Sequence, residues 1–179
     1  EHVVLVGREH EAADRQAAGG LAELYVRYAP AGFRLALLLT GDRALAEDIV
    51  QDAFVKVVGR FGHLRSGSSF EAYLRRTIVN LTKNTWRRRS VERAHQADAL
   101  PELRDVEAAD GAVVERMMVL RTLRSLPERQ RTAIVLRFYE DLPEGDIASI
   151  MRCPAGTVRS LISRGVAAMR EQIGGERDA

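Results

Sequence analysis

The stretch from Asp141 to Arg170, DLPEGDIASIMRCPAGTVRSLISRGVAAMR, restricts what this chain can fold into more than any other. A short helix is predicted over Pro143–Met151. The fixed φ of proline suits a first helical position, and Glu144 and Asp146 complement the positive end of the helix dipole. Arg152-Cys153-Pro154 interrupts it, and a second helix is predicted from Ala155 to Met169 or beyond. Two helices joined by so short a turn make a helix-turn-helix, whose second helix is shaped to enter a major groove.

On that second helix Val158, Leu161, Ile162, Gly165 and Met169 share one stripe. Gly156, Arg159, Ser160, Ser163 and Ala167 fall opposite, with Arg164 and Thr157 further round. No carboxylate lies between Pro154 and Arg170, so nothing along this helix repels phosphate. Serine and arginine reach base edges and phosphate oxygens. The pattern favours a DNA-reading helix over an ordinary surface helix of a bundle.

Toward the N-terminus, residues 1–18 read as a flexible tail. LAELYVRYAPAGFRLALLLT, residues 21–40, reads as a helix in which Pro30 predicts a kink or break. Gly41-Asp42 reads as a stop followed by a new cap. Arg43–Phe61 is strongly amphipathic, with Ala46, Val50, Ala53, Phe54, Val57 and Phe61 as its core face. Its other face carries Asp48, Gln51, Asp52 and Val55. The pattern alone favours a solvated face there, although an apolar Val55 among polar neighbours also suits docking. Gly62–Ser69 is expected to be a flexible loop ending in a serine cap.

Phe70–Arg89 is the second informative stretch. Leu74, Ile78, Leu81 and Thr85 define an inward seam, and Arg76, Asn80, Lys83 and Arg87 an outward one. Nine Lys/Arg and two acids lie between Arg60 and Arg93. An apolar seam backed by a basic-amide seam suits a nucleic-acid backbone on the outer side. Trp86, taken alone, reads as a core residue. Residues 94–111 then reverse the charge, with five acids against Arg104, and read as a flexible linker. Beyond it, helices are expected at Ala112–Ser125 and from Leu126-Pro127-Glu128 to about Tyr139. Met117 and Met118 act as core filler.

The fold expected is therefore all-α: two helical domains, residues 19–93 and 112–175, joined by a flexible acidic linker, the second containing the helix-turn-helix. The net charge is only +2 despite a pI of about 9.0, so any nucleic-acid footprint must come from local clustering. One cysteine excludes an internal disulfide or a cysteine-based metal site, and the four histidines share no ligand spacing. No phosphate-binding loop, dinucleotide fingerprint, HExxH or GxSxG is present. Neither catalytic residues, a metal, a cofactor nor a small-molecule substrate is expected. With no apolar run near the ~20 residues of a membrane span and no basic leader, a cytoplasmic binding protein is expected.

LTGDRALAEDIVQDAFVKV, SSFEAYLRRTIVNLTKNTWRRR and LRSLPERQRTAIVLRFYEDLPEGDIASIMRCPAGTVRSLISRG, in that order, resemble the extracytoplasmic-function RNA polymerase sigma factors of the sigma-70 superfamily. The likeness spans about Leu21 to Ile173. It implies a protein that binds core RNA polymerase, through its β and β′ subunits, and directs transcription initiation at promoter DNA. Asp48, Gln51 and Asp52, with Val55, take the polymerase-docking role. The loop containing Ser66, Ser68 and Ser69 holds a base flipped from the −10 element, which offsets the few kcal/mol of unstacking. Arg76, Asn80, Lys83, Arg87 and Arg88 meet the −10 strand. Thr157, Arg159, Ser160, Ser163 and Arg164 meet the −35 duplex, and the linker threads toward the polymerase channel. Members are commonly held by an anti-sigma factor. The family turn usually holds glycine where this chain has Arg152, and left-handed backbone there costs a non-glycine residue ~1 kcal/mol. Neither a region 1.1 or region 3 domain nor a C-terminal regulatory domain is expected. The alternative is a conventional helix-turn-helix regulator that binds duplex DNA independently of polymerase.

Overall fold

In the computed structural model the backbone is described for residues 22–59, 67–95 and 111–177, and side chains for 22–59, 70–88 and 118–174. The expected tail, most of the expected linker, and Phe61 and Ser66 lie outside the described residues. All regular structure among those described is helical: α1 (residues 22–40), α2 (Arg43–Val58), α3 (Gly67–His95), α4 (Gly111–Ser125), α5 (Glu128–Ile134), α6 (Glu144–Met151) and α7 (Ala155–Arg177). α5 runs on without a break into a wider π turn, Val135–Tyr139.

The helix limits follow from local chemistry. Gly41 takes a left-handed φ of +67°, which ends α1, and a side chain there would run into Arg124. Asp42 caps α2 by accepting from the Leu45 N–H at 3.0 Å, as its sequence position implies. Pro143 is extended and sits just before α6 rather than inside it.

Three further expectations are corrected. Pro30 does not break α1, which is continuous over residues 22–40. Pro30 and Val26, whose carbonyl loses its partner to the ring, both lie on the exposed face, where water can satisfy that oxygen. The loop expected through Ser69 ends earlier. α3 already begins at Gly67, so the backbones of Ser68 and Ser69 are helical. Phe70, at 1 % exposure, anchors that first turn in the core. α3 also extends past the expected linker boundary, to His95.

The N-terminal helices pack α2 against α3, with Gly32 of α1 meeting Ile78. Ala46, Ile49, Val50, Ala53, Phe54 and Val57 of α2 face Phe70, Leu74 and Ile78 of α3. In the C-terminal group α7 packs on α4, α5 and α6. α5 and α7 approach closely because Gly165 has no side chain: a Cβ there would lie 2.5 Å from Ile134 Cδ1. Ile147 and Val158, both fully buried, hold α6 against α7. One apolar cluster continues through both groups.

Candidate nucleic-acid interface

The helix-turn-helix is built as expected. Arg152 ends α6 in a left-handed conformation, φ 53° and ψ 54°, and its N–H and that of Cys153 both reach the Ala148 carbonyl. This is the position where a glycine would be unstrained. Arg152→Gly is expected to raise stability by about 0.5 kcal/mol, the left-handed cost less the extra unfolded-state entropy of glycine. Thermal unfolding of both chains checks this, and a lower midpoint for the glycine variant would refute it.

α7 buries Val158, Leu161 and Gly165 and presents Arg159, Ser160, Ser163 and Arg164 to solvent, with Thr157 half-buried at its start. The Ser160 hydroxyl donates to the Gly156 carbonyl at 3.0 Å, and Arg164 Nε to the Ser160 carbonyl at 3.2 Å. Arg159 reaches back to Glu144 on α6, with Nη2 to Oε2 at 2.8 Å and Nε to Oε1 at 3.4 Å. That hydrogen bond and charge hold the Arg159 guanidinium above its ordinary pKa. The acid-free run along α7 hid this partner, because Glu144 comes from the neighbouring helix. With both side chains at a helix N-terminus, the pair fixes the direction of Arg159 rather than removing it from solvent, since Arg159 remains 73 % exposed.

α3 carries the second surface. Arg76, Lys83 and Arg87 are exposed and Asn80 is half-buried, on the side of the helix away from Phe70, Leu74 and Ile78; Arg88 is exposed as well, but helical spacing puts it on the Phe70 side. Leu81 and Thr85, expected inside, are only half-buried. The tighter inner positions belong to Val79 and to Thr82, whose hydroxyl is satisfied by the Ile78 carbonyl at 2.9 Å. A threonine that bonds back to its own helix can line a core, which a hydropathy pattern does not register. Trp86 is half-buried against the apolar cluster, in keeping with a core role.

A third surface lies on α1 and α2. Asp48, Gln51, Asp52 and Val55 are all exposed, and Val55 is 73 % so. Tyr25 and Val26 of α1, also exposed, share this side. With Ala29, Pro30, Phe33, Glu47, Val50 and Gln51 they line a groove of about 430 Å³. Tyr25 packs edge-on against Phe54, ring centroids 4.8 Å apart. Sequence reasoning missed Tyr25 and Val26. Their signal is two adjacent bulky apolar residues one turn before an exposed proline, on a helix whose other side supplies the core. Among the described residues no group of acids, histidines and cysteine is placed to hold a metal, and no helix is long and apolar enough to cross a membrane.

Comparison with known proteins matches two stretches of the chain to named regions. The family model for sigma-70 region 2 matches residues 24–92, which contain α1, α2 and most of α3, and that for sigma-70 region 4 matches residues 116–169. The chain is 36 % identical over 136 residues to the RNA polymerase sigma-H factor of Pseudomonas aeruginosa, covering 69 % of this chain and 70 % of that one. It is 34 % identical over 165 residues to the ECF RNA polymerase sigma-E factor of Escherichia coli, covering 86 % and 80 %. Its fold is similar to that of the sigma factor RpoE in complex with the anti-sigma factor NepR from Bartonella quintana, with a TM-score of 0.73, 25 % identity, and coverage of 86 % of this chain and 96 % of that one. CnrH in complex with the cytosolic domain of CnrY shares the fold at a TM-score of 0.61 and 21 % identity, covering 90 % and 94 %. Two sigma regions in order, and curated relatives matched over most of their length, place this chain among the extracytoplasmic-function RNA polymerase sigma factors, which direct core polymerase to promoters.

Proposed function

We propose a division of labour among three surfaces that differ in chemistry. Residues 19–93 form the domain that docks on core polymerase and opens the −10 element. Residues 94–111 are the linker, and residues 112–175 form the domain that reads the −35 element. Polymerase meets the apolar, acid-rimmed face of Asp48, Gln51, Asp52 and Val55. The −10 strand meets Arg76, Asn80, Lys83, Arg87 and Arg88, with Ser66, Ser68 and Ser69 beside the flipped base. The −35 duplex meets Thr157, Arg159, Ser160, Ser163 and Arg164. The observation that carries this reading is the presence of two separate exposed cationic helix faces, on α3 and α7, beside a third face that is acidic and apolar. Cations suit phosphate, whereas an apolar centre with a charged rim suits a protein partner.

The chain acts by binding, not catalysis, and works in the cytoplasm, where core polymerase and the chromosome are. An anti-sigma factor as a further partner is supported by the complex in which the structural neighbour RpoE was solved with the anti-sigma factor NepR. The region 2 match over residues 24–92 weighs against a polymerase-independent regulator, which has no use for that half.

Replacing Ser163 or Arg164 with alanine is expected to change base preference within the −35 element, with discrimination at the affected position falling by about 1–3 kcal/mol. Transcription by the reconstituted holoenzyme across a promoter library measures it. An unchanged preference profile would remove α7 from base readout.

A further inference from the structure

α6 begins with a carboxylate that the −35 assignment does not use. Glu144, the first residue of that helix, accepts two N–H groups from Arg159 of α7, Nη2 to Oε2 at 2.8 Å and Nε to Oε1 at 3.4 Å. A helix start favours an acid, but Asp146 already supplies one to the same turn and needs no arginine to do so. An acid beside a phosphate-binding helix also weakens its attraction for DNA. The bond between Glu144 and Arg159 therefore has its use in the readout itself.

The pair stands on a rigid base. Ile147, one turn after Glu144, and Val158, the neighbour of Arg159, are both fully buried where α6 meets α7. The left-handed Arg152 fixes the turn between the two helices. The direction of Arg159 is thus set by the core of the helix-turn-helix, through Glu144, instead of by its own long stem. Arg164 differs. Its Nε donates to the Ser160 carbonyl, and no carboxylate among the described residues offsets its charge.

The shape of the guanidinium decides what Arg159 can still bind. Its plane carries N–H donors in a fixed fork. Nε–H and one N–H of Nη2 form the side edge, and Glu144 takes both. The outer edge, an N–H of Nη1 beside the second N–H of Nη2, has no partner among the described residues, and the side chain is 73 % exposed. Two parallel N–H groups match the O6 and N7 acceptors of guanine. Adenine sets an amino donor where that O6 would be, and neither pyrimidine offers the acceptor pair. The carboxylate's charge matters as well. It offsets that of Arg159 and so lowers the pull on phosphate, but leaves the directed fork intact. Arg159 also lies near the start of α7, and it is the N-terminal residues of a groove-bound helix that meet base edges.

We propose that Glu144 is a specificity-determining positioning residue: it aims the outer fork of Arg159 at one guanine of the −35 element and keeps that arginine off the phosphates. The inference rests on the assignment of α7 to the −35 duplex. Glu144 acts through Arg159 and has no need to touch DNA.

The test compares holoenzymes reconstituted with the full chain and its variants, by transcription from a library randomised through the −35 element. Arg159→Ala is expected to lower the preference for guanine at one position. Glu144→Ala is expected to lower it at that same position, by about fivefold or more, the smaller end of what a bidentate base contact contributes. In the Arg159→Ala background, Glu144→Ala is expected to add nothing. Glu144→Gln, which keeps the shape of the side chain and one acceptor, is expected to fall between the wild type and Glu144→Ala. A second readout separates aim from fold. Released from Glu144, Arg159 turns to phosphate, so the log–log salt slope of holoenzyme binding to promoter DNA is expected to steepen by about 0.9 in Glu144→Ala and not in the double variant. A preference profile that Glu144→Ala leaves unchanged, or alters only at positions that Arg159→Ala does not affect, would overturn the positioning role. So would an equal further loss of preference in the double variant, or a salt slope that Glu144→Ala does not move. A wild-type chain with no base preference anywhere in the −35 element would instead overturn the assignment of α7 to that duplex.

Discussion

Replacing Arg87 and Arg88 with glutamate is expected to abolish open-complex formation while leaving the chain bound to core polymerase. Both arginines are exposed on α3, Arg87 continuing the line of Arg76 and Lys83, and neither contributes to the core that holds α2 and α3 together. A charge-assisted hydrogen bond to phosphate is worth about 1.5–3 kcal/mol, so the loss of two amounts to roughly 3–6 kcal/mol. At 1.4 kcal/mol per factor of ten that is about a hundredfold to ten-thousandfold, and the introduced carboxylates repel the strand further. Strand separation is the step most exposed to this loss, because the single-stranded −10 segment must be held against reannealing. Permanganate reactivity of unpaired thymines measures opening, and co-elution measures polymerase binding. The salt dependence of promoter binding should also flatten, since each lost single-strand phosphate contact removes about 0.7 from the log–log slope. Promoter opening that survives the double reversal would show that α3 has been given the wrong role.

Reversing Asp48 and Asp52 to arginine is expected to do the opposite: polymerase binding is lost and the −35 surface is untouched. These acids share the exposed side of α2 with Val55 and with Gln51, which lines a groove together with the exposed Tyr25 and Val26 of α1. Interfaces of this composition draw their affinity from the apolar centre and their orientation from the rim. Removing one member of a desolvated charge pair costs about 2–5 kcal/mol, and reversing two should weaken binding at least a hundredfold. Transcription from every promoter should fail together. Because α7 lies in the other helical group, duplex binding through it is expected to persist. A chain that still co-elutes with polymerase after this change docks through another face.

The two predictions draw on parts of the sequence that were legible to different degrees. The helix-turn-helix could be read because its signals are local. Pro143, the three-residue break and the stripe from Val158 to Met169 act within a few turns, and Gly41-Asp42 declares a cap in two letters. The outward seam of α3 was legible for the same reason. Pro30 misled because the carbonyl it frees lies on the exposed side of α1, where water can replace the lost hydrogen bond, and exposure is not written in the local sequence. The start of α3 was misjudged because Gly67 and Ser68 look like loop, whereas the burial of Phe70 stabilises the turn ahead of it. The partners of Arg131 were out of reach. It reads as one more cation in ERQRTA, and its partners at Leu39 and Trp86 lie 92 and 45 positions away in a different helical group. Glu144 beside Arg159 was hidden in the same way, although only fifteen residues separate them. Periodicity assigns a residue to a face, but which faces meet is settled by the packing of the whole chain.

The measurement that bears most directly on the account is run-off transcription by core polymerase lacking any sigma factor, with and without the purified chain, on a pool of randomised promoter templates. The account predicts transcripts only when the chain is present, from templates that share two sequence elements separated by about 25 base pairs, one near −10 and one near −35. Transcription that is unchanged by the chain on every template would contradict it.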